Sequence, residues 1–425
     1  VIFVENKSER IIFHIDVNSA FLSWTAINLL RCGESEIDIR KIPSIIGGSI
    51  EDRRGVVLAK SIPAKKFNII TGEPIVAALK KYPQLKVYPP EHKLYTRFSN
   101  DMYKLLEPYS DFIERYSIDE VFMEASHFKY DYMEKAKEIK RKIEEDLGFT
   151  VNIGIGNNKL LAKMASDFSK KNSIHTLFKE EIKIKMWPLK VGDLFMVGKA
   201  AEKKLIDLNI FTIGDLANYN LSILRNIFKS YANIIYEYAN GIDNSPINCD
   251  NYVDVKGIGN STTTSKDILS IDEALKVLLS LTESVAKRLR ANKSLCGIVA
   301  VSIKSNIFTT YSHQKKFLTP TDSTEEIFKL VKVIFKEMWR REPIRLLGVR
   351  VTKLSDNSIY QKSLFDDEKI DKQRSLDSTI DKIREKYGDS SIIRSTFISS
   401  NNKRGLEDEK AEDFLMMGGL YDSSK

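Results

Sequence analysis

Two stretches of this chain each run an apolar, strand-forming segment into carboxylates. They are Phe13-His14-Ile15-Asp16-Val17-Asn18-Ser19-Ala20-Phe21 and Tyr116-Ser117-Ile118-Asp119-Glu120-Val121-Phe122. A strand core is a poor place for a bare charge, because desolvating an unpaired carboxylate costs several kcal/mol or neutralises it. Three such groups converging on divalent cations would remove the conflict, and paired oxygen ligands read as a two-metal phosphoryl-transfer site with ions about 3.5–4 Å apart. On these residues alone a second reading stands beside it: one buried Asp in an ion pair, and an Asp-Glu pair in an exposed hairpin turn.

The chain around these segments is long and basic. Its 425 residues exceed one ordinary core and predict two to four domains. Hydrophobic content of 42% beside 29% charged residues is that of a globular chain. No apolar run reaches the ~20 residues that cross a bilayer, and the N-terminal residues lack the apolar core of a signal peptide, so no membrane role is expected. Cys32, Cys249 and Cys296 are far apart and make neither a disulfide framework nor a zinc site, which points to a reducing, cytoplasmic location. The net charge of +8 is uneven: residues 251–355 hold 18 Lys and Arg against 10 Asp and Glu, and the last 70 residues hold 12 against 15. A basic module followed by an acidic tail fits binding to a polyanion.

Periodicity gives the organisation. Residues 11–17 read as a buried strand, with Asn18 or Ser19 capping a helix from Ala20. Residues 56–90, with five of the chain's prolines at 63, 74, 83, 89 and 90, form a small turn-rich unit. A helix over 92–107, a hairpin over 111–125, a helix over 131–147, a strand over 150–156 and a helix from Asn158 complete an α/β layer with one open sheet face. Residues 181–245 read as short helices in two tandem helix–turn–helix units, the first turn being Phe195-Met196-Val197-Gly198-Lys199. Amides at such a turn can meet a backbone phosphate, with Gly198 and Lys199 the candidate contacts; taken alone, the turn reads equally well as an ordinary helical hairpin. Residues 252–355 show the order βαββαβ, a ferredoxin-like arrangement, with Ser323 and Glu326 as a capping box. Lys304, Lys315, Lys316, Arg345 and Arg350 lie on or beside its strands and could track a sugar–phosphate backbone. A further helix is expected over 375–387, and disorder after about 400.

In this order and spacing FHIDVNSAF, AKSIPAKKF, YSIDEVFME and GIGNNKLLAKMASD resemble the Y-family translesion DNA polymerases, most closely the bacterial DNA polymerase IV and UmuC-type branch. The resemblance covers roughly residues 11–355. It implies an α+β multidomain fold: a ferredoxin-like palm (11–20 and 90–180), small fingers (21–89), a helical thumb with helix-hairpin-helix turns (181–245), a βαββαβ little finger (250–355) and a tail (356–425). It also implies a template-directed, low-fidelity polymerase without proofreading, acting on primer-template DNA and dNTPs with two Mg²⁺ ions, Mn²⁺ being a possible substitute. Asp16, the carbonyl of Val17, Asp119 and Glu120 would be the metal ligands, with the three carboxylates catalytic. Ser19, Ala20, Phe21, Lys65 and Lys159 would line the nucleotide, Phe21 being the steric gate against a ribose 2′-OH.

The chain departs from the family pattern in the nucleotide pocket. Ile62 and Lys65 stand where a tyrosine and an arginine often contact the triphosphate, which removes a hydroxyl donor and a bidentate fork. Asn18 replaces a frequent aspartate and Ser19 a frequent aromatic residue. The thumb turn Met196-Val197-Gly198 lacks the first glycine of the usual pair. These changes imply altered nucleotide affinity rather than lost catalysis. After the last domain, Gln361, Leu364 and Phe365 in QKSLF resemble a sliding-clamp peptide, and the protein is expected to act as a monomer. The rival reading is a non-catalytic, polymerase-like accessory protein that binds DNA and the clamp.

Overall fold

The structure, a computed structural model, describes residues 10–49, 55–169, 172–249, 255–356 and 368–398. Strand β1 (Ile12–Val17) leads through a tight turn into helix α1 (Ala20–Arg31). Strands β2 (Ser44–Gly47) and β3 (Val57–Lys60), helices α2 (Ile62–Lys65) and α3 (Ile75–Lys81) and strand β4 (Lys86–Tyr88) follow. Then come α4 (His92–Leu106), β5 (Ile113–Arg115), β6 (Glu120–Glu124), α5 (Tyr132–Lys142), β7 (Val151–Gly156), α6 (Lys159–Asp167) and β8 (Ile174–Leu177). The expected helix over 131–147 ends in a π turn over Ile143–Leu147, stopped by Gly148 at φ 87°.

Strands β5-β6-β1-β7-β8 make one sheet with β1 at its centre. Alternation along the central strands sorts residues onto its two faces. Phe13, Ile15, Val121, Met123, Ile153 and Ile155 join Trp24 of α1, Phe98 of α4 and Ile139 of α5 in one buried core. The opposite face carries His14, Asp16, Glu120, Phe122, Asn152 and Gly154, and α6 lies on it. Gly154 is what lets the helix so close: a Cβ there would stand 1.9 Å from the Ala162 carbonyl oxygen. The unit expected over 56–90 reaches back to β2, forming the sheet β3-β2-β4 around Ile45, Val57, Ile69 and Ile75.

A helical unit follows: α7 (Lys199–Ile206), α8 (Ile213–Ala217), α9 (Leu221–Phe228) and α10 (Tyr231–Ala239). Its core takes in Leu160, Leu161, Met164 and Ala165, so α6 is buried between the first sheet and this unit. The expected βαββαβ order holds as β9 (Gly257–Ile268), α11 (Ile271–Ala291), β10 (Ser294–Ser305), β11 (Thr310–Thr321), α12 (Thr324–Met338) and β12 (Ile344–Asp356). The sheet order β11-β10-β12-β9 makes each βαβ crossover span one intervening strand, with both helices packed on a single face.

The helix expected over 375–387 is longer. Helix α13 (Glu368–Tyr387), followed by α14 (Ser395–Ile398), docks on the helices of this last unit through ion pairs. Arg290 of α11 meets Asp381 at 2.5 Å and Asp377 at 3.6 Å, Arg374 meets Asp322 at 2.7 Å, and Arg384 meets Glu283 at 3.2 Å. This docking corrects the expected capping box. Ser323 makes no side-chain cap, and the first amide of α12, from Thr324, donates to Asp377 Oδ2 at 2.9 Å instead. Nor does Asn18 or Ser19 cap α1 through its side chain: Ser19 sits at φ 48°, and Asn18 ties the turn to Thr150. Gln361, Leu364 and Phe365, and the stretch after about 400, lie outside the described residues.

Candidate active site

The three carboxylates stand at one end of the neighbouring inner strands β1 and β6. Asp16 is the register partner of Glu120 across the β1–β6 ladder and of Asn152 across β1–β7, so Asp16 and Glu120 share the face that α6 covers. Asp119 precedes Glu120 and its carbonyl accepts the Val17 amide at 3.0 Å, which closes the ladder at this end. Its carboxylate accepts the Ser117 hydroxyl at 2.7 Å. Burial pushes the Asp119 carboxyl above its usual value, with the Ser117 bond acting against that push and the Glu120 charge adding to it.

Glu120 is held differently. Burial opposes its ionisation, but contacts with His14 and Lys163 outweigh it and lower its value. The Lys163 ammonium lies 2.8 Å from Oε1, and His14 Nε2 lies 3.9 Å from Oε2. The Ser166 hydroxyl donates to the Lys163 carbonyl at 2.7 Å and lies 2.8 Å from His14 Nδ1, which ties the ring to α6. Burial lowers the value of His14, with its contact to Glu120 acting against that shift. Neither His14 nor Lys163 was singled out from the sequence; their only signal there was inclusion in FHIDVNSAF and GIGNNKLLAKMASD.

The donors fit a hard divalent cation in kind: three carboxylates and a main-chain carbonyl, with one carboxyl whose ionisation burial disfavours. Among the described residues no three His, Cys, Asp or Glu side chains are already drawn together tightly enough to hold a metal ion. The pairing of Glu120 with Lys163 accounts for this in part, since it directs one carboxylate oxygen toward α6.

The expected nucleotide residues divide. Ala20 begins α1, and the half-buried Phe21 stacks on Tyr95 with ring centroids 4.5 Å apart and planes within 8°. Tyr95 is anchored by a hydroxyl contact of 3.0 Å with Thr25. Ile62 is 68% exposed on α2, where Lys65 is also exposed. Lys159 stands at the first position of α6, with Asn158 capping that helix at Leu161 N. Its ammonium is engaged by both oxygens of Glu114, at 2.8 and 2.7 Å. Glu114 also accepts the Asn248 amide at 2.8 Å, and it too went unnoticed in the sequence.

The expected DNA contacts are also sorted. Gly198 precedes α7 with open space where a Cβ would stand, and Lys199 opens that helix; Met196 occupies the missing-glycine position at φ 75°. In the last sheet Val299, Val301, Leu347, Val349 and Val351 face the helices. By alternation Lys304, Lys316 and Arg350 stand on the open face. Lys304 and Arg345 both lie over the ring of Phe308, at 5.0 and 4.9 Å. Lys315 turns toward the helices and pairs with Glu337 at 2.6 Å. No helix among the described residues is long and apolar enough to cross a membrane.

Residues 15–167 match the impB/mucB/samB family, and residues 255–364 match the impB/mucB/samB family C-terminal domain. The chain is 49% identical over 397 residues to DNA polymerase IV of Clostridium acetobutylicum, covering 93% of this chain and 100% of that protein. It is 35% identical over 402 residues to DNA polymerase IV 2 of Bacillus subtilis, covering 92% and 95%. Among solved structures, the fold is similar to the "Y-family DNA polymerase chimera Dbh-Dpo4(243-245)-Dbh", with a TM-score of 0.70 at 22% identity over 82% of this chain and 100% of that one. DinB from Sulfolobus solfataricus gives a TM-score of 0.51 at 22% identity, over 80% and 98%.

Proposed function

The chain belongs to the impB/mucB/samB family of Y-family DNA polymerases and is a DNA-directed DNA polymerase of the translesion type, and on that premise we propose that Asp16, Asp119 and Glu120 form its catalytic centre. The observation that carries the assignment is the register of β1 against β6, which sets Asp16 directly across from Glu120 with Asp119 beside it. Family membership implies dependence on a divalent metal; Mg²⁺ is the ion this oxygen-donor set favours, with Mn²⁺ a substitute. When bound, two such ions supply charge neutralisation at the reacting phosphate and an activated primer 3′-hydroxyl. Asp16, the Val17 carbonyl and Asp119 would hold the nucleotide-side ion, and Asp119 and Glu120 the primer-side ion. Ser117 orients Asp119 by its hydroxyl, and Lys163 keeps Glu120 ionised.

The substrates are primer-template DNA and dNTPs. Ser19, Ala20, Phe21, Lys65 and Lys159 are assigned to the nucleotide. For Lys159 this means giving up Glu114 for the triphosphate. The division into palm (11–20 and 90–180), fingers (21–89), thumb (181–245), little finger (250–355) and tail (356–425) finds support in the separate cores of the fingers sheet, the helical unit and the last sheet, whereas Trp24 and Ile27 of α1 pack in the core of the palm. Gly198, Lys199, Lys304, Lys316, Arg345 and Arg350 are assigned to DNA, and Lys315 only if it leaves Glu337. A sliding clamp is the proposed partner of Gln361, Leu364 and Phe365, and a monomer acting in the cytoplasm the proposed form. The non-catalytic reading is not favoured, since all three carboxylates are present on a chain so close to named polymerases.

Primer extension tests the centre. Asp119→Asn and Glu120→Gln should each lower single-nucleotide incorporation by about 10²-fold or more while leaving primer-template binding near that of the unsubstituted chain. Undiminished incorporation by either variant would remove that residue from the centre.

A further inference from the structure

Lys163 is placed as few lysines are. It sits in the middle of α6 on the face pressed against the sheet, and its side chain is 11% exposed. The ammonium has the Glu120 carboxylate at 2.8 Å on one side and two aromatic rings on the other, Tyr116 at 5.3 Å and Phe195 at 5.4 Å. Glu120 has little freedom to turn away. Its second oxygen faces the buried ring of His14 at 3.9 Å, and that ring is fixed through Ser166 to the same helix.

We propose that Lys163 and the primer-side divalent cation compete for Glu120, so that cation binding takes the lysine off the carboxylate and leaves it held by the rings of Tyr116 and Phe195 that it already faces. An ammonium and a divalent cation sharing one carboxylate repel each other in a site where little water screens them. The rings give the displaced charge a place to go, since an ammonium is attracted to an aromatic face within about 6 Å. Phe195 also connects the site to the helical unit: it stacks on Tyr238 with centroids 6.1 Å apart and directly precedes the Met196-Val197-Gly198 turn. Lys163 is thus a positioning residue that sets how tightly the primer-side ion is held. This inference rests on the reading of Glu120 as a cation ligand.

The test is Mn²⁺ binding to the full chain without DNA or nucleotide, followed by electron paramagnetic resonance. Lys163→Met should tighten Mn²⁺ binding by about tenfold, because a like charge is removed from beside the ion. Lys163→Gln carries the same expected direction and keeps a hydrogen-bond donor for Glu120, so it serves if the methionine variant does not fold. Lys163→Arg, which keeps the charge, should bind Mn²⁺ much as the unsubstituted chain does. A lysine of purely structural importance would weaken binding when removed. Unchanged or weaker Mn²⁺ affinity in the folded neutral variant overturns the competition, provided that Asp119→Asn still abolishes binding. Mn²⁺ binding that survives Asp119→Asn overturns the metal site itself.

Discussion

Gly154 decides where Lys159 and Lys163 of α6 stand relative to the sheet. With the Ala162 carbonyl oxygen 1.9 Å and the Ser166 amide nitrogen 2.4 Å from an added Cβ, any side chain there forces main chain against main chain. Gly154→Ala should therefore cost about 3 kcal/mol in urea unfolding, the upper part of the range for overpacking, and should impair incorporation by pushing α6 away from the sheet face that carries Asp16 and Glu120. Phe21 depends on a neighbour in a gentler way. Its stack on Tyr95 fixes the ring plane that would lie under the sugar. Phe21→Ala should raise ribonucleotide incorporation relative to deoxyribonucleotide on the order of tenfold or more in a primer-extension assay, and an unchanged ratio would take Phe21 out of that role. At this scale the sequence offered Asp16, Asp119, Glu120 and Phe21 as candidates because motifs contain them, and the strand register sets Asp16 across from Glu120. The sequence was silent on Lys163 and Glu114. Their importance comes from pairing with residues 43 and 45 positions away, and local spacing carries no trace of such a pairing.

Elements were easier to read than the packing between them. Buried strands and amphipathic helices announce themselves by period, and so the βαββαβ order, β1 with α1, and the elements from α4 to α6 could be anticipated to within a few residues, while β2, β3, α2, α3 and β4 were legible only as a turn-rich unit. Helix ends were less legible. The Ser323–Glu326 pattern had the form of a capping box, yet the cap of α12 comes from Asp377 on a helix 53 residues downstream. A local pattern cannot compete when a buried carboxylate from elsewhere already meets the amide. Asp377 is 3% exposed and also faces Arg290, so Asp377→Ala leaves the Thr324 amide without its acceptor and takes from Arg290 one of its two carboxylate neighbours. The expected cost is about 3 kcal/mol, and limited proteolysis should cut within residues 368–398 far sooner than in the unsubstituted chain. A digestion pattern identical to that chain's would mean that α13 is held by its other ion pairs alone.

At the scale of the whole molecule the net charge of +8 is less informative than where the charge stands. The sequence located the basic module, but strand alternation divides it: Lys304, Lys316 and Arg350 face outward, and Lys315 turns back to Glu337. Replacing the three outward residues with Gln should weaken primer-template binding and reduce the slope of log affinity against log salt by about 3, one for each phosphate that is no longer neutralised. Lys315→Gln alone should leave that slope nearly unchanged. Fluorescence anisotropy over a salt series measures both. The docking of α13 has a consequence in time as well as in space. A chain emerging from the ribosome exposes its N-terminal units first, and the first sheet, with its carboxylates, needs no residue beyond β8 for its strands. Helix α12 must wait for Asp377 before its first amide is met. During synthesis, the catalytic sheet can therefore form while the module proposed to grip the template is still unfinished, and that module is completed only once translation has passed well beyond its own last strand.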